Sequence, residues 1–243
     1  MIPKIIHYCW FGRNPLPQLG QKCIASWKKY LPDYEIKEWN EDNFDVNSIA
    51  YIKEAYAAKK YAFVSDYARF WILYHYGGLY FDTDVEIIRP IDDIVKRGAF
   101  MGCETNGGNN TQISVAPGLG LGFEKGNSLL KELIDFYSNM HFLKEDGTID
   151  LSTTIVGHTT NFLVRKGLKN MKGIQQIDNI YIYPSEFFCP INVVTDKLHI
   201  TSNTRSIHHY AATWQTKGFR IKKIIRQFLP ERVLSFINTI KNH

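Results

Sequence analysis

Gly77-Gly78-Leu79-Tyr80-Phe81-Asp82-Thr83-Asp84-Val85-Glu86 is the stretch that decides how the rest of this 243-residue chain reads. Before it, Tyr61–Tyr76 is apolar or aromatic nearly all round, which predicts a helix packed in the interior. Gly77-Gly78 stops that helix, since a helix end that needs a left-handed backbone is best served by glycine. Beyond the glycines the chain reads as an extended strand with Tyr80, Asp82, Asp84 and Glu86 on one face and Phe81, Thr83 and Val85 on the other. Carboxylates two residues apart on a strand lie about 7 Å apart at Cα, a spacing that can surround one hard cation. The plain alternative for the two aspartates is a strand end entering water.

Two charges interrupt the interior helix, Asp66 and Arg69. Three residues apart, they share a face. Burying either one alone is costly, so they pair with each other or with a ligand.

Upstream, residues 2–11 read as a first strand, ended by Gly12, Pro15 and Pro17. Trp10 at its end can stack on a nucleobase or serve the core. A helix over Gln18–Tyr30 and a strand over 34–39 complete a β-α-β unit, and Asn47-Ser48 is read as the cap of a further helix. Residues 98–128 hold eight of the 17 glycines and are expected to form long loops, with 104–112 as a lid, an acceptor flap or simple surface. Gly118-x-Gly120-x-Gly122 lacks the strand-turn-helix frame of a dinucleotide fingerprint. Residues 127–140 read as a helix, Asp146-Gly147 as a turn leading to Asp150, and Ile180–Tyr183 and 198–200 as short strands. In Ile207-His208-His209-Tyr210-Ala211-Ala212-Thr213-Trp214, one histidine can complete a metal site begun by the acids, because imidazole joins carboxylates around manganese-like ions.

With 44% hydrophobic and 22% charged residues the chain can bury a substantial core. Cys9, Cys23, Cys103 and Cys189 are scattered, which argues against a disulfide framework or a structural zinc site. No charged leader with an apolar run follows Met1, and no apolar stretch approaches the roughly 18 residues of a span, so a cytoplasmic setting is expected. The net charge of +5 is uneven: residues 217–243 carry seven basic residues and one acid, leaving twenty-two basic against twenty-three acidic residues in the body. A neutral body speaks against general nucleic-acid binding. The tail reads as a basic amphipathic helix that either lies on an anionic membrane or caps the core.

Taken in order, these stretches resemble the DXD-containing glycosyltransferases of family 32, particularly the bacterial ones of capsular and other surface-polysaccharide synthesis. The matching pieces are Ile2-Pro3-Lys4-Ile5-Ile6-His7-Tyr8-Cys9-Trp10-Phe11-Gly12, Ser26-Trp27, Pro32-Asp33-Tyr34-Glu35, Ser65-Asp66-Tyr67-Ala68-Arg69, the Gly77 to Asp84 run, and His208-His209 with Trp214. More distantly, the chain is similar to the large glucosylating toxins. The resemblance implies an α/β fold of GT-A type, a Rossmann-like mixed sheet flanked by helices, over residues 1–216, with the helical tail over 217–243. It also implies a nucleotide-sugar donor, with a UDP-hexose favoured, Mn²⁺ or Mg²⁺, and retention of anomeric configuration. The implied acceptor is a saccharide or a lipid-linked oligosaccharide, met at the inner face of the cell membrane. By position, Asp84 would ligate the metal, Asp82 would bind ribose, donor sugar or metal, and His209 would be the late metal ligand. Asp66, Arg69 and Tyr80 would hold the donor, and Trp10 would stack on its base. The family pattern ends in Gly-Ser-Trp, where this chain has Ala212-Thr213-Trp214.

Metal neutralisation of a departing nucleoside diphosphate removes the need for a strong acid, so a carboxylate that positions the acceptor hydroxyl suffices. Asp150 is the acceptor-side candidate. Two other readings compete: an Asp-x-Asp phosphohydrolase of the haloacid dehalogenase type, and a non-catalytic sugar- or membrane-binding module.

Overall fold

The computed structural model describes residues 1–108, 111–150, 152–192 and 197–211. The tail over 217–243 and Trp214 lie outside the described residues. In chain order the elements are β1 (Ile5–Cys9), α1 (Gln18–Tyr30), β2 (Glu35–Trp39), α2 (Ala50–Ala57), α3 (Tyr61–Tyr76), β3 (Gly78–Tyr80), β4 (Val85–Ile87), α4 (Asp92–Arg97) and β5 (Ala99–Thr105). Next come β6 (Ser114–Val115), β7 (Leu121–Phe123), α5 (Ser128–Ser138), α6 (Ile155–Arg165), β8 (Gln175–Ile177), β9 (Ile180–Tyr183), α7 (Ser185–Phe188) and β10 (Ser206–His208).

The main sheet runs β2-β1-β3-β7-β5-β9-β8, with β6 added on β5. β1 pairs in parallel with β2 and β3, and β5 with β9. β7 is antiparallel to both β3 and β5, so β2, β1, β3, β5 and β9 all point the same way. Their carboxyl ends therefore share one edge, the usual place for a ligand in an open α/β sheet. This is the expected architecture, a mixed sheet flanked by helices.

Alternation along the strands divides the core in two. Ala99, Met101 and Cys103 of β5 join α2, α3 and α5 on one face, while Phe100 joins α1, α4 and α7 on the other. His7, fully buried on β1, ties neighbouring elements together. Its Nδ1 accepts from Trp39 Nε1 at 3.0 Å, so its Nε2 carries the proton and donates to the Gly77 carbonyl at 2.9 Å. Gly77 has φ +67°, the left-handed helix stop expected there.

Four readings are corrected. The acidic run is not one strand: β3 ends at Tyr80, residues 81–84 turn, and β4 leaves for a separate two-stranded sheet with β10. The glycine-rich 98–128 region carries β5, β6 and β7 between its loops, and Gly102, Gly118 and Gly122 serve close packing; a Cβ on Gly122 would overlap Phe100. Residues 198–200 form no strand, only an isolated bridge between Ile191 and Leu198. Ile49, not Asn47 or Ser48, stands at the cap of α2.

Candidate active site

The carboxyl end of β3 delivers the chain into the site. Asp82 is fixed from three directions: its N–H donates to the Gly118 carbonyl at 3.1 Å, and its Oδ1 accepts from Tyr80 Oη at 3.1 Å and faces Arg69 Nη2 at 3.3 Å. Gly118 is required by space, because a Cβ there would overlap Asp82 Oδ2. The next acid, Asp84, meets the other sheet. Its Oδ1 lies 3.0 Å from His208 Nε2, and its Oδ2 accepts the Ala211 N–H at 2.7 Å.

Arg69 is 3% exposed and serves two carboxylates, since its Nη2 also bonds Asp66 Oδ1 at 3.1 Å. Its Nε donates to the Ser65 carbonyl at 3.0 Å, and its guanidinium sits 4.9 Å from the Tyr80 ring centre. Burial works against the cation, but Asp82, Tyr80 and Asp66 overcome it and Arg69 stays charged. One cation cannot neutralise two acids, and the deeper one gives way: burial pushes the Asp66 carboxyl up to about 7, with Arg69 opposing and Asp82 adding to the rise.

Burial alone would also raise Asp84, yet His208 and the Ala211 N–H reverse this and hold it down to about 2. His208 answers in kind: burial would lower it, while Asp84, Asp82 and Glu104 raise it.

Asp82, Asp84 and His208 each present a ligand atom, all within 4.8 Å of one another. Carboxylate oxygens with one imidazole suit manganese- or magnesium-like ions. His208 Nδ1 is buried with no hydrogen-bond partner among the described residues, so the imidazole is not already committed on both sides. The donor set therefore fits a divalent cation.

The adjacent histidines separate. β10 pairs antiparallel with β4 in the register Ser206 to Ile87, Ile207 to Glu86 and His208 to Val85. His208 turns to the aspartates, whereas Nε2 of His209, the histidine expected at the cluster, lies 2.8 Å from Glu86. Of the remaining sequence candidates, Trp10 comes just after β1 and donates Nε1–H to the Asn14 carbonyl at 2.6 Å. Asp150 accepts from the Ser152 N–H at 2.9 Å, a local turn that no described bond joins to the cluster.

Glu104 was not legible as a site residue. β5 pairs with β6 as Cys103 to Val115 and Thr105 to Ser114, so Glu104 is the extra residue of a β-bulge. Bulges re-aim side chains beside active sites. Here the carboxylate accepts from Tyr210 Oη at 3.4 Å, and the Tyr210 ring packs edge-on at 4.2 Å against His208. Burial raises its pKa, with His208 pulling the other way. A bulge leaves no sequence signature here, and Gly118 could be noticed only as one glycine among many.

Residues 17–101 match the family described as "Glycosyltransferase sugar-binding region containing DXD motif", a segment that holds Asp66, Arg69, Tyr80, Asp82 and Asp84. Among curated relatives, the chain is similar to inositol phosphoceramide mannosyltransferase 3 of Schizosaccharomyces pombe, 29% identical over 58% of this chain and 40% of that protein. It is also similar to mannosyl phosphorylinositol ceramide synthase CSH1 of Saccharomyces cerevisiae, 32% identical over 42% of this chain and 28% of that protein. The chain thus matches well under half the length of each, and both names differ from the capsular type expected above. Among solved structures, a glycosyltransferase involved in the glycosylation of the major capsid of PBCV-1 aligns over 96% of this chain and all of that one, at 10% identity and TM-score 0.49.

Proposed function

We propose that the protein is a divalent-metal-dependent, retaining glycosyltransferase that moves a hexose from a nucleotide-sugar donor to a saccharide or lipid-linked acceptor at the inner face of the cell membrane. The observation that carries this reading is the convergence of Asp82, Asp84 and His208 within 4.8 Å, directly beside the buried Asp66–Arg69 pair. The names of the relatives make mannose the first hexose to test, and UDP- and GDP-sugars both belong in the panel.

A cation held by Asp82, Asp84 and His208 would neutralise the charge that develops on the departing nucleoside diphosphate. Asp84, ionised at any physiological pH, supplies a fixed negative ligand. Arg69 and Asp66 offer a donor and an acceptor to sugar hydroxyls at the floor of the site, and Tyr80 and Gly118 keep Asp82 aimed. On the acceptor side this reading replaces Asp150 with Glu104, the carboxylate that the bulge turns toward His208 and Tyr210. Trp10 is available to the base of the donor.

The test is nucleotide release from a panel of UDP- and GDP-sugars, with Mn²⁺ or with chelator, for the wild type and Asp84→Asn. Release from one donor, dependent on metal and absent in the variant, is expected. Neither release nor metal-dependent thermal stabilisation by any donor would overturn the reading.

A further inference from the structure

Between Asp150 and Asp178 the chain contains no acid, yet it holds Arg165, Lys166, Lys169 and Lys172 within eight residues. In a body with one more acid than base, this is a local concentration of positive charge. Lys166 is used internally, bonded to Glu132 at 2.8 Å. Arg165, Lys169 and Lys172 are exposed and make no ion pair among the described residues. Interleaved with them are three apolar side chains in water: Val164 at 49%, Met171 at 49% and Ile174 at 39% exposure. Basic side chains alternating with exposed apolar ones match an anionic bilayer, where the cations meet headgroups and the apolar groups enter the acyl boundary.

The segment is preformed. Gln175 closes it by accepting the Lys169 N–H at 2.9 Å and donating to the Lys169 carbonyl at 2.8 Å, while Leu168 and Ile177 anchor it in the core. Asn170 ties it to the loop after β5, accepting from the Ile113 N–H at 2.8 Å and donating to the Gly108 carbonyl at 3.3 Å. That loop leaves the same carboxyl edge of the sheet from which Asp82 and Asp84 emerge.

We propose that residues 164–174 form a membrane-contact loop for anionic lipid, which turns the catalytic edge of the sheet toward the bilayer. The ligand is the bilayer surface itself; exposed Met171 and Ile174 favour it over a nucleic acid, which has no use for them. This inference goes beyond the transferase reading and is tested without any sugar donor, so either can fail alone.

The experiment is co-sedimentation of the full chain with phosphatidylcholine vesicles, with and without phosphatidylglycerol. Four proteins are compared: wild type, the pair Lys169→Ala and Lys172→Ala, the pair Met171→Ser and Ile174→Ser, and a tail pair Lys222→Ala and Lys223→Ala. Wild type should bind only the anionic vesicles and dissociate as salt rises from about 0.1 M to about 1 M. The lysine pair should bind roughly 25-fold more weakly, at about fivefold per basic residue, and the serine pair should also weaken. All substituted residues in the loop are exposed, so thermal melts should stay at the wild-type value. Wild-type sedimentation of both loop pairs, with loss only in the tail pair, overturns the proposal. So does binding to duplex DNA without binding to vesicles.

Discussion

Gly118 and Asp82 are bonded backbone to backbone at 3.1 Å, in a contact so close that any Cβ on Gly118 would occupy the position of Asp82 Oδ2. Gly118→Ala should therefore displace the Asp82 carboxylate and crowd the neighbouring Arg69 guanidinium, while leaving the apolar core as it is. Displacements on the scale of 1 Å cost roughly 100-fold in rate. Metal-dependent nucleotide release should fall by about that factor while the melting temperature moves by only a few degrees, as activity assays beside thermal melts would show.

His208 and His209 should behave oppositely in a metal titration. His208→Ala removes a member of the Asp82–Asp84 cluster and should weaken Mn²⁺ binding at least as much as the roughly 10- to 100-fold typical of losing an outer-shell partner. His209→Ala breaks the contact with Glu86 and should leave Mn²⁺ affinity close to wild type. Electron paramagnetic resonance of free Mn²⁺ reads both, independently of turnover.

Glu104→Gln keeps the shape of the bulged residue and removes its charge. If this carboxylate serves the acceptor, kcat should drop while metal-dependent stabilisation by the donor is retained. Loss of donor stabilisation in step with rate would assign Glu104 to donor or metal binding instead.

Removing Arg69 leaves the buried acid Asp66 and the half-buried Asp82 without their shared cation. Arg69→Ala should cost about 3–5 kcal/mol in urea unfolding. Asp66→Asn should cost much less, because burial already pushes that carboxyl up to about 7 and so disfavours its charged form.

Burial lowers the pKa of His7 to about 4, with the Gly77 carbonyl favouring the proton and Lys37 opposing it. The unfolded chain, at about 6.5, binds the proton first. Stability is therefore complete above about pH 6.5 and is lost as pH falls toward 4, by roughly 2 kcal/mol between pH 7 and pH 5. His7→Phe should be less stable at pH 7, having lost the bonds to Trp39 and Gly77, and should show a flatter dependence over this range in urea melts.

Much of this protein was legible in its sequence because the signals were local. The helices over Gln18–Tyr30 and Tyr61–Tyr76 and the strand over Ile180–Tyr183 have the expected bounds, since apolar periodicity and glycine or proline stops lie within the segments themselves. Asp66 and Arg69 meet because three residues on a helix put them on one face. Asp82 and Asp84 stand at the site for the same reason of adjacency, although the strand that was to carry them is a turn.

Tertiary structure alone decided the rest. Whether the chain continued past Tyr80 as one strand depended on a partner more than 100 residues away, β10, which draws β4 out of the main sheet. Glu104 is aimed by a bulge that exists only where β6 pairs with β5, and Gly118 matters only because Asp82 is folded against it. The choice between His208 and His209 is a choice of register. Adjacent residues on a strand point to opposite faces, so a slip of one residue would have exchanged them, and nothing within the segment itself fixes which face meets the aspartates.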